Sequence, residues 1–193
     1  GPARGFNAEP HPARCIGGCC VTLPAVFPTY TTARSVPIPA VNSLLHPDRI
    51  RIGLSSATKA DAINTMVDLL EGHTAITELS EVRTAVFDRE STMSTGVGHG
   101  LGLPHAKTGA VTDTVAAFAT VQPPVDFDAI DSKPVDLMLL LVGPEADASL
   151  HIKVLGRISR LVHQVPIRRA LTSASDSASV MRTLQEAEAA LQK

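Results

Sequence analysis

The stretch GVGHGLGLPHAKTG, residues 96–109, sets five glycines and two histidines around one proline and one lysine. Two chemistries fit a glycine-rich segment running into Lys-Thr: a loop that wraps a nucleotide phosphate, or a segment that presents a histidine able to accept phosphate itself. Spacing argues against the first. A P-loop places glycine directly before its lysine and another glycine five residues earlier, so that backbone N–H groups close around one phosphate. Here Ala106 precedes Lys107 and Leu101 stands five residues before Ala106. The dinucleotide pattern GxGxxG fails as well, because these glycines recur at every second residue.

The second chemistry centres on His105. An imidazole with an ordinary pKa near ~6.5 offers a neutral nitrogen with a free lone pair at physiological pH. A neutral nucleophile also avoids driving one anion toward another. Pro104 fixes its own φ and lacks an N–H, so it is expected to stop a strand and hold His105 at the strand mouth. Phosphoryl transfer is mostly positioning and electrostatic stabilisation, so the acceptor needs positive charge or donors around the moving oxygens. Two residues are placed to supply them. Arg89 continues the inner stripe Leu79, Val82, Val86 of an expected helix, and a guanidinium at a buried helix edge needs an anion or carboxylate to meet. His151 lies on the same stripe as Val154, Leu155, Ile158 and Val162 in the first turns of another helix, where N-terminal amides favour an anion.

The elements that must position these side chains are legible in the periodicities. Ile63, Met66, Val67 and Leu70 recur at helical spacing after Thr58 and Asp61, a capping-box pair, and Gly72 closes that helix. A second helix is predicted from about Glu78 to Glu90. Val97, His99, Leu101 and Leu103 alternate with glycines, which predicts one strand with a bare face packed closely on another backbone. Strands are predicted around residues 116–121 and 135–142, the latter a continuous apolar run typical of a central strand. Helices are predicted over 148–163 and 177–191. The order helix, helix, strand, strand, strand, helix, helix predicts an α/β fold: a single mixed sheet flanked by helices on its faces, with an extended N-terminal arm.

That arm is residues 1–40, which hold seven of the 14 prolines and no helical or alternating period. Residues 41–193 form the predicted domain. The 193-residue length suits one domain with an extension. A formal net charge of -2 leaves no basic footprint for nucleic acid, and no Trp with a single Tyr leaves no stacking platform. No apolar run reaches the ~18 residues of a membrane span. Cys15, Cys19 and Cys20 cluster in CIGGCC with no later cysteine to pair across the fold, so a reducing, cytoplasmic setting is expected, with no signal peptide and no disulfide framework. His99, His105 and His151 also form a rival set, since three imidazoles bind catalytic zinc. No HExxH accompanies them, and a metal-dependent hydrolase is the weaker reading.

Four separated segments resemble, in order, the fructose/mannitol-type enzyme IIA component of the bacterial sugar phosphotransferase system. They are the DRE segment holding Arg89, STGVGHGLGLPHAKT, PVDFDAIDSKPVDLMLLLVGPE and HIKVLGRISRLV, and the likeness runs over roughly residues 41–193. The resemblance implies that His105 is phosphorylated, with Arg89 and His151 beside it. It implies a histidine-containing phosphocarrier (HPr-type) donor and a cysteine on a IIB domain as the recipient. No cofactor or metal is implied. VDFDAIDSKPVDL is more similar to the fructose branch. Related domains also serve in nitrogen-related signalling and as appendages of transcription regulators, which keeps a regulatory phosphohistidine module as the alternative. His99 stands where family members often carry Asn, which would put a third histidine near the site.

Overall fold

The computed structural model describes residues 38–191. The proline-rich arm, save its last three residues, and the CIGGCC cluster lie outside the described residues. Helix α1 (Val41–Leu44) and a short 3-10 turn lead into strand β1 (Ile50–Leu54), followed by α2 (Lys59–Asp68) and α3 (Leu79–Thr92). Three short strands come next, β2 (Gly96–Gly98), β3 (Leu101–Gly102) and β4 (His105–Lys107), then the long pair β5 (Val115–Val125) and β6 (Val135–Gly143). Three helices close the domain: α4 (Ala148–Val162), α5 (Val165–Thr172) and α6 (Ser177–Leu191). No described helix is long and apolar enough to cross a membrane.

The strands form one mixed sheet in the order β1-β5-β6-β3-β2, with β4 also paired to β6. The β5–β6 and β2–β3 pairs are antiparallel, β1 runs parallel to β5, and β3 and β4 run parallel to β6. The uninterrupted apolar run of β6 is explained by cover on both faces. Met138, Leu140 and Val142 point into a core shared with Ile63, Met66 and Val67 of α2 and with Val82 and Val86 of α3. Leu137, Leu139 and Leu141 point into a second core with Val154, Ile158 and Leu161 of α4 and Val180 and Leu184 of α6. Phe118 of β5 is wholly buried in that second core, worth roughly 2–3 kcal/mol for the side chain alone.

Local signals account for the element ends. The Thr58 hydroxyl accepts the Asp61 N–H at 3.1 Å and donates to the Asp61 carboxylate, which caps α2. Gly72, with φ +73°, provides the left-handed residue after it. The single strand predicted over residues 97–103 is instead a hairpin. The backbone turns through three consecutive left-handed residues, Gly98, His99 and Gly100, and β2 returns on itself as β3, with Gly96 opposite Gly102. Alternation of side chains carries no information about such a reversal. The expected close backbone approach does occur at Gly96, where a Cβ would sit 2.7 Å from the Ala129 Cα. Pro104 separates β3 from β4, so His105 begins a new strand, paired with Leu141 of β6, rather than standing past the end of one. Strand β1 and helix α5 also lie beyond the sequence expectation; α5 starts at a proline in its first turn, tolerated because the missing N–H has no intrahelical partner there.

Candidate functional site

His105 opens β4 and His151 is the fourth residue of α4. Both stand near the C-terminal end of β6, because His105 pairs beside Leu141 while His151 packs over Gly143. The two rings lie 5.8 Å apart between centroids, tilted by 45°. Arg89, in the last turn of α3, donates from Nε to Nε2 of His105 at 3.2 Å and from Nη1 to the Met93 carbonyl at 2.9 Å. The structure therefore brings together His105, Arg89 and His151 from three separate elements.

Hydrogen bonding fixes the tautomer of His105. Its Nδ1 lies 2.9 Å from the Leu103 carbonyl, which can only accept, so Nδ1 carries the proton. Nε2 is then the lone-pair nitrogen, consistent with its accepting the Arg89 Nε–H. Burial holds the His105 pKa below the ordinary imidazole value against the raising effect of the Leu103 carbonyl, and the Arg89 charge lowers it further. His105 is thus a neutral base at physiological pH, with its free lone pair facing a guanidinium.

His151 is 4% exposed, and neither ring nitrogen has a hydrogen-bond partner. Burial first, then the nearby His105 and Lys107 charges, lower its pKa to about 4. The ring is neutral, so one nitrogen carries a proton with nothing to give it to. Buried polar atoms left unpaired are costly, and a donor of this kind beside a nucleophile is suited to an incoming oxygen. Of the two partners expected for Arg89, an anion or a carboxylate, the structure supplies no carboxylate. Among the described residues it forms no ion pair within 4 Å, since the carboxylate of neighbouring Glu90 is taken by Lys59.

Two cavities flank the pair. One of about 410 Å³ is lined by Arg89, Met93, Thr95, Val97, His105 and Ile130, among others. The other, of about 360 Å³, is lined by Arg89, His105, Lys107, His151, Ile152 and neighbours. Met93, Ile130 and Ile152 are large apolar side chains left 67%, 87% and 69% exposed. No periodicity marks this apolar rim, because its members come from a helix end, a loop and the outer face of α4.

His99 is not part of the cluster. It sits at the turn of the β2–β3 hairpin with φ +52°, its N–H bonded to Asp131, and its ring meets His163 edge-on at 5.0 Å. It lines a different cavity, with Lys133, Asp136 and Arg168. The three-imidazole zinc set is therefore not assembled, and no group of three or more His, Cys, Asp and Glu is placed to hold a metal among the described residues. The reason is the hairpin reversal, which carries His99 away along the turn.

Residues 43–187 match the sequence profile of the family described as phosphoenolpyruvate-dependent sugar phosphotransferase system, EIIA 2. The chain belongs to this family. The EIIA domain is 35% identical over 130 residues to the fructose-specific EIIA component of the phosphotransferase system of Haloferax volcanii, spanning 67% of this chain and 84% of that protein. Its fold matches the crystal structure of nitrogen regulatory protein IIA-Ntr from Neisseria meningitidis with a TM-score of 0.70 at 30% identity, over 75% of this chain and 98% of that one. The complex of enzyme IIAMTL and phosphorylated enzyme IIBMTL from Escherichia coli matches with a TM-score of 0.64 over 74% of this chain and 97% of that one. Its 21% identity makes that a likeness of fold.

Proposed function

We propose that this EIIA domain is a phosphoryl carrier in which Nε2 of His105 is the acceptor atom. The observation that carries the reading is the fixed tautomer: Nδ1–H is spent on the Leu103 carbonyl and the Nε2 lone pair faces Arg89 at 3.2 Å. A phosphohistidine on a carrier protein of HPr type docks, and Nε2 attacks its phosphorus in line. The new N–P bond forms as the carrier's N–P bond breaks, and the carrier imidazole leaves with its electron pair. Arg89 turns its N–H groups from Nε2 to the phosphoryl oxygens and offsets their charge. The unpartnered His151 donates to one of those oxygens. His105 keeps its Nδ1 proton throughout, and the Leu103 carbonyl meets the positive charge the ring gains. In the second transfer a cysteine thiolate of a IIB domain attacks the same phosphorus, forming S–P and releasing neutral His105.

The exposed Met93, Ile130 and Ile152 around the site suit alternating protein partners better than a small substrate, since exposed apolar side chains beside a polar centre are what a transient interface buries. The fructose-specific relative supports sugar uptake, with fructose as the sugar. The close match to a nitrogen regulatory IIA supports a second reading, in which phospho-His105 is a signal and the IIB transfer is absent.

The test is incubation with labelled phosphoenolpyruvate, the general phosphotransferase enzyme and the carrier. The wild-type chain is expected to take up acid-labile label and His105→Ala none; retained labelling of His105→Ala overturns the assignment. Adding a fructose IIB domain then separates the two readings, because transport requires that the label move on to its cysteine.

A further inference from the structure

Glu90 follows Arg89 in α3, yet it serves none of the partners its neighbour serves. It is 8% exposed, and a carboxylate that deep requires pairing. Lys59, the first residue of α2, supplies the charge, with Nζ 2.6 Å from Oε1. The Thr95 N–H donates to Oε1 at 3.0 Å and to Oε2 at 3.2 Å, and the Thr95 hydroxyl donates to Oε2 as well. Lys59 also reaches the Ser94 hydroxyl at 3.3 Å.

What this network holds is the segment from which the acceptor site takes its geometry. The Thr95 carbonyl accepts the Leu103 N–H at 3.0 Å, and the Leu103 carbonyl accepts the His105 Nδ1–H at 2.9 Å. Two residues before Thr95, the Met93 carbonyl accepts the Arg89 Nη1–H at 2.9 Å. Both the ring that attacks and the guanidinium that faces it are thus oriented by residues 93–103, and Glu90 is the charged post to which that segment is tied. Stability alone is a poor reason for such a pair, because an apolar pair of similar volume commonly does as well as a buried ion pair. Orientation is the better reason. We infer that Glu90, paired with Lys59, is a positioning residue that locks the His105 tautomer and the Arg89 rotamer through Thr95, Leu103 and Met93. The inference rests on the reading of His105 as acceptor; the orienting role itself is separable from it.

The test uses the full chain, labelled with ¹⁵N. Glu90→Gln preserves shape and one acceptor oxygen while removing the charge, and Lys59→Met leaves Glu90 without its cation. Long-range ¹H–¹⁵N spectra report which nitrogen of His105 carries the proton, and thermal melting reports the fold. In the wild type the Nδ1–H form is expected alone. In both folded variants the Nε2–H form is expected to become populated, with phosphoryl uptake from the carrier slowed about tenfold or more at unchanged KM. Wild-type tautomer and wild-type rate in the folded variants overturn the inference, and Lys59→Met decides alone if Glu90→Gln does not fold. The spectra need no partner. A tautomer change in a chain that never accepts phosphate upholds the positioning role and refutes the phosphoryl reading.

Discussion

Acid is expected to weaken this domain through His151, by an amount set by its burial. The folded ring has a pKa of about 4 against an ordinary 6.5. The unfolded chain therefore binds more protons than the folded one between those values. The stability that the neutral ring provides is complete above pH 6.5 and is lost as the pH falls toward 4. Integrated over the two values, the loss is about 2 kcal/mol at pH 5 and about 3 kcal/mol at pH 4. His105 is lowered in the same direction, so the wild-type loss contains both rings and only a difference isolates one. Urea unfolding of the wild type and of His151→Gln at pH 7 and pH 5 gives that difference. The variant is expected to lose about 2 kcal/mol less between the two pH values, roughly 1 M in urea midpoint for ordinary slopes. Equal losses in the two proteins would refute the claim that burial keeps His151 neutral.

Arg89→Lys removes the Nε donor to His105 and the Nη1 donor to Met93 while keeping a charge, and phosphoryl uptake measured by rapid quench is expected to fall about a hundredfold; a rate near wild type would mean that charge alone suffices. Gly143→Ala sets a methyl 3.1 Å from Nδ1 of His151 and 3.3 Å from Oγ1 of Thr114, so a destabilisation of about 1 kcal/mol is expected together with slower uptake. An unchanged rate would show that His151 has no fixed place in the reaction. Ile130→Asp, at an exposed position, is expected to leave the melting temperature alone and to raise KM for the carrier about tenfold; an unchanged KM would move the docking surface elsewhere.

The legible parts of this molecule are those where local chemistry and burial agree. The Thr58 cap, the α2 stripe and the two-sided apolar run of β6 each have one physical explanation, and the structure realises all three. His105 stood out as a candidate because Pro-His after alternating glycines is a local pattern, and Arg89 and His151 because each falls on a helical stripe; the structure sets the three side by side. Reversals were not readable. Alternating glycines satisfy a straight strand and a hairpin equally, and only the left-handed backbone at residues 98–100 separates them. That turn is also why His99, a neighbour of His105 in sequence, packs on His163 instead. The contacts that surround the candidate site join residues far apart in the chain, as Lys59 joins Glu90 and Gly143 makes room for His151. No spacing rule reports them. Strand β1, only five residues long, is too short for its Ile50–Ile52 alternation to stand out.

One nitrogen of one side chain is proposed to carry the phosphoryl group. Phosphorylating the ¹⁵N-labelled chain with phosphoenolpyruvate, the general enzyme and the carrier, then recording ³¹P and long-range ¹H–¹⁵N spectra, tests it directly. Phosphorus is expected on Nε2 of His105, with the proton retained on Nδ1. Phosphorus on Nδ1, or on any residue other than His105, would contradict it.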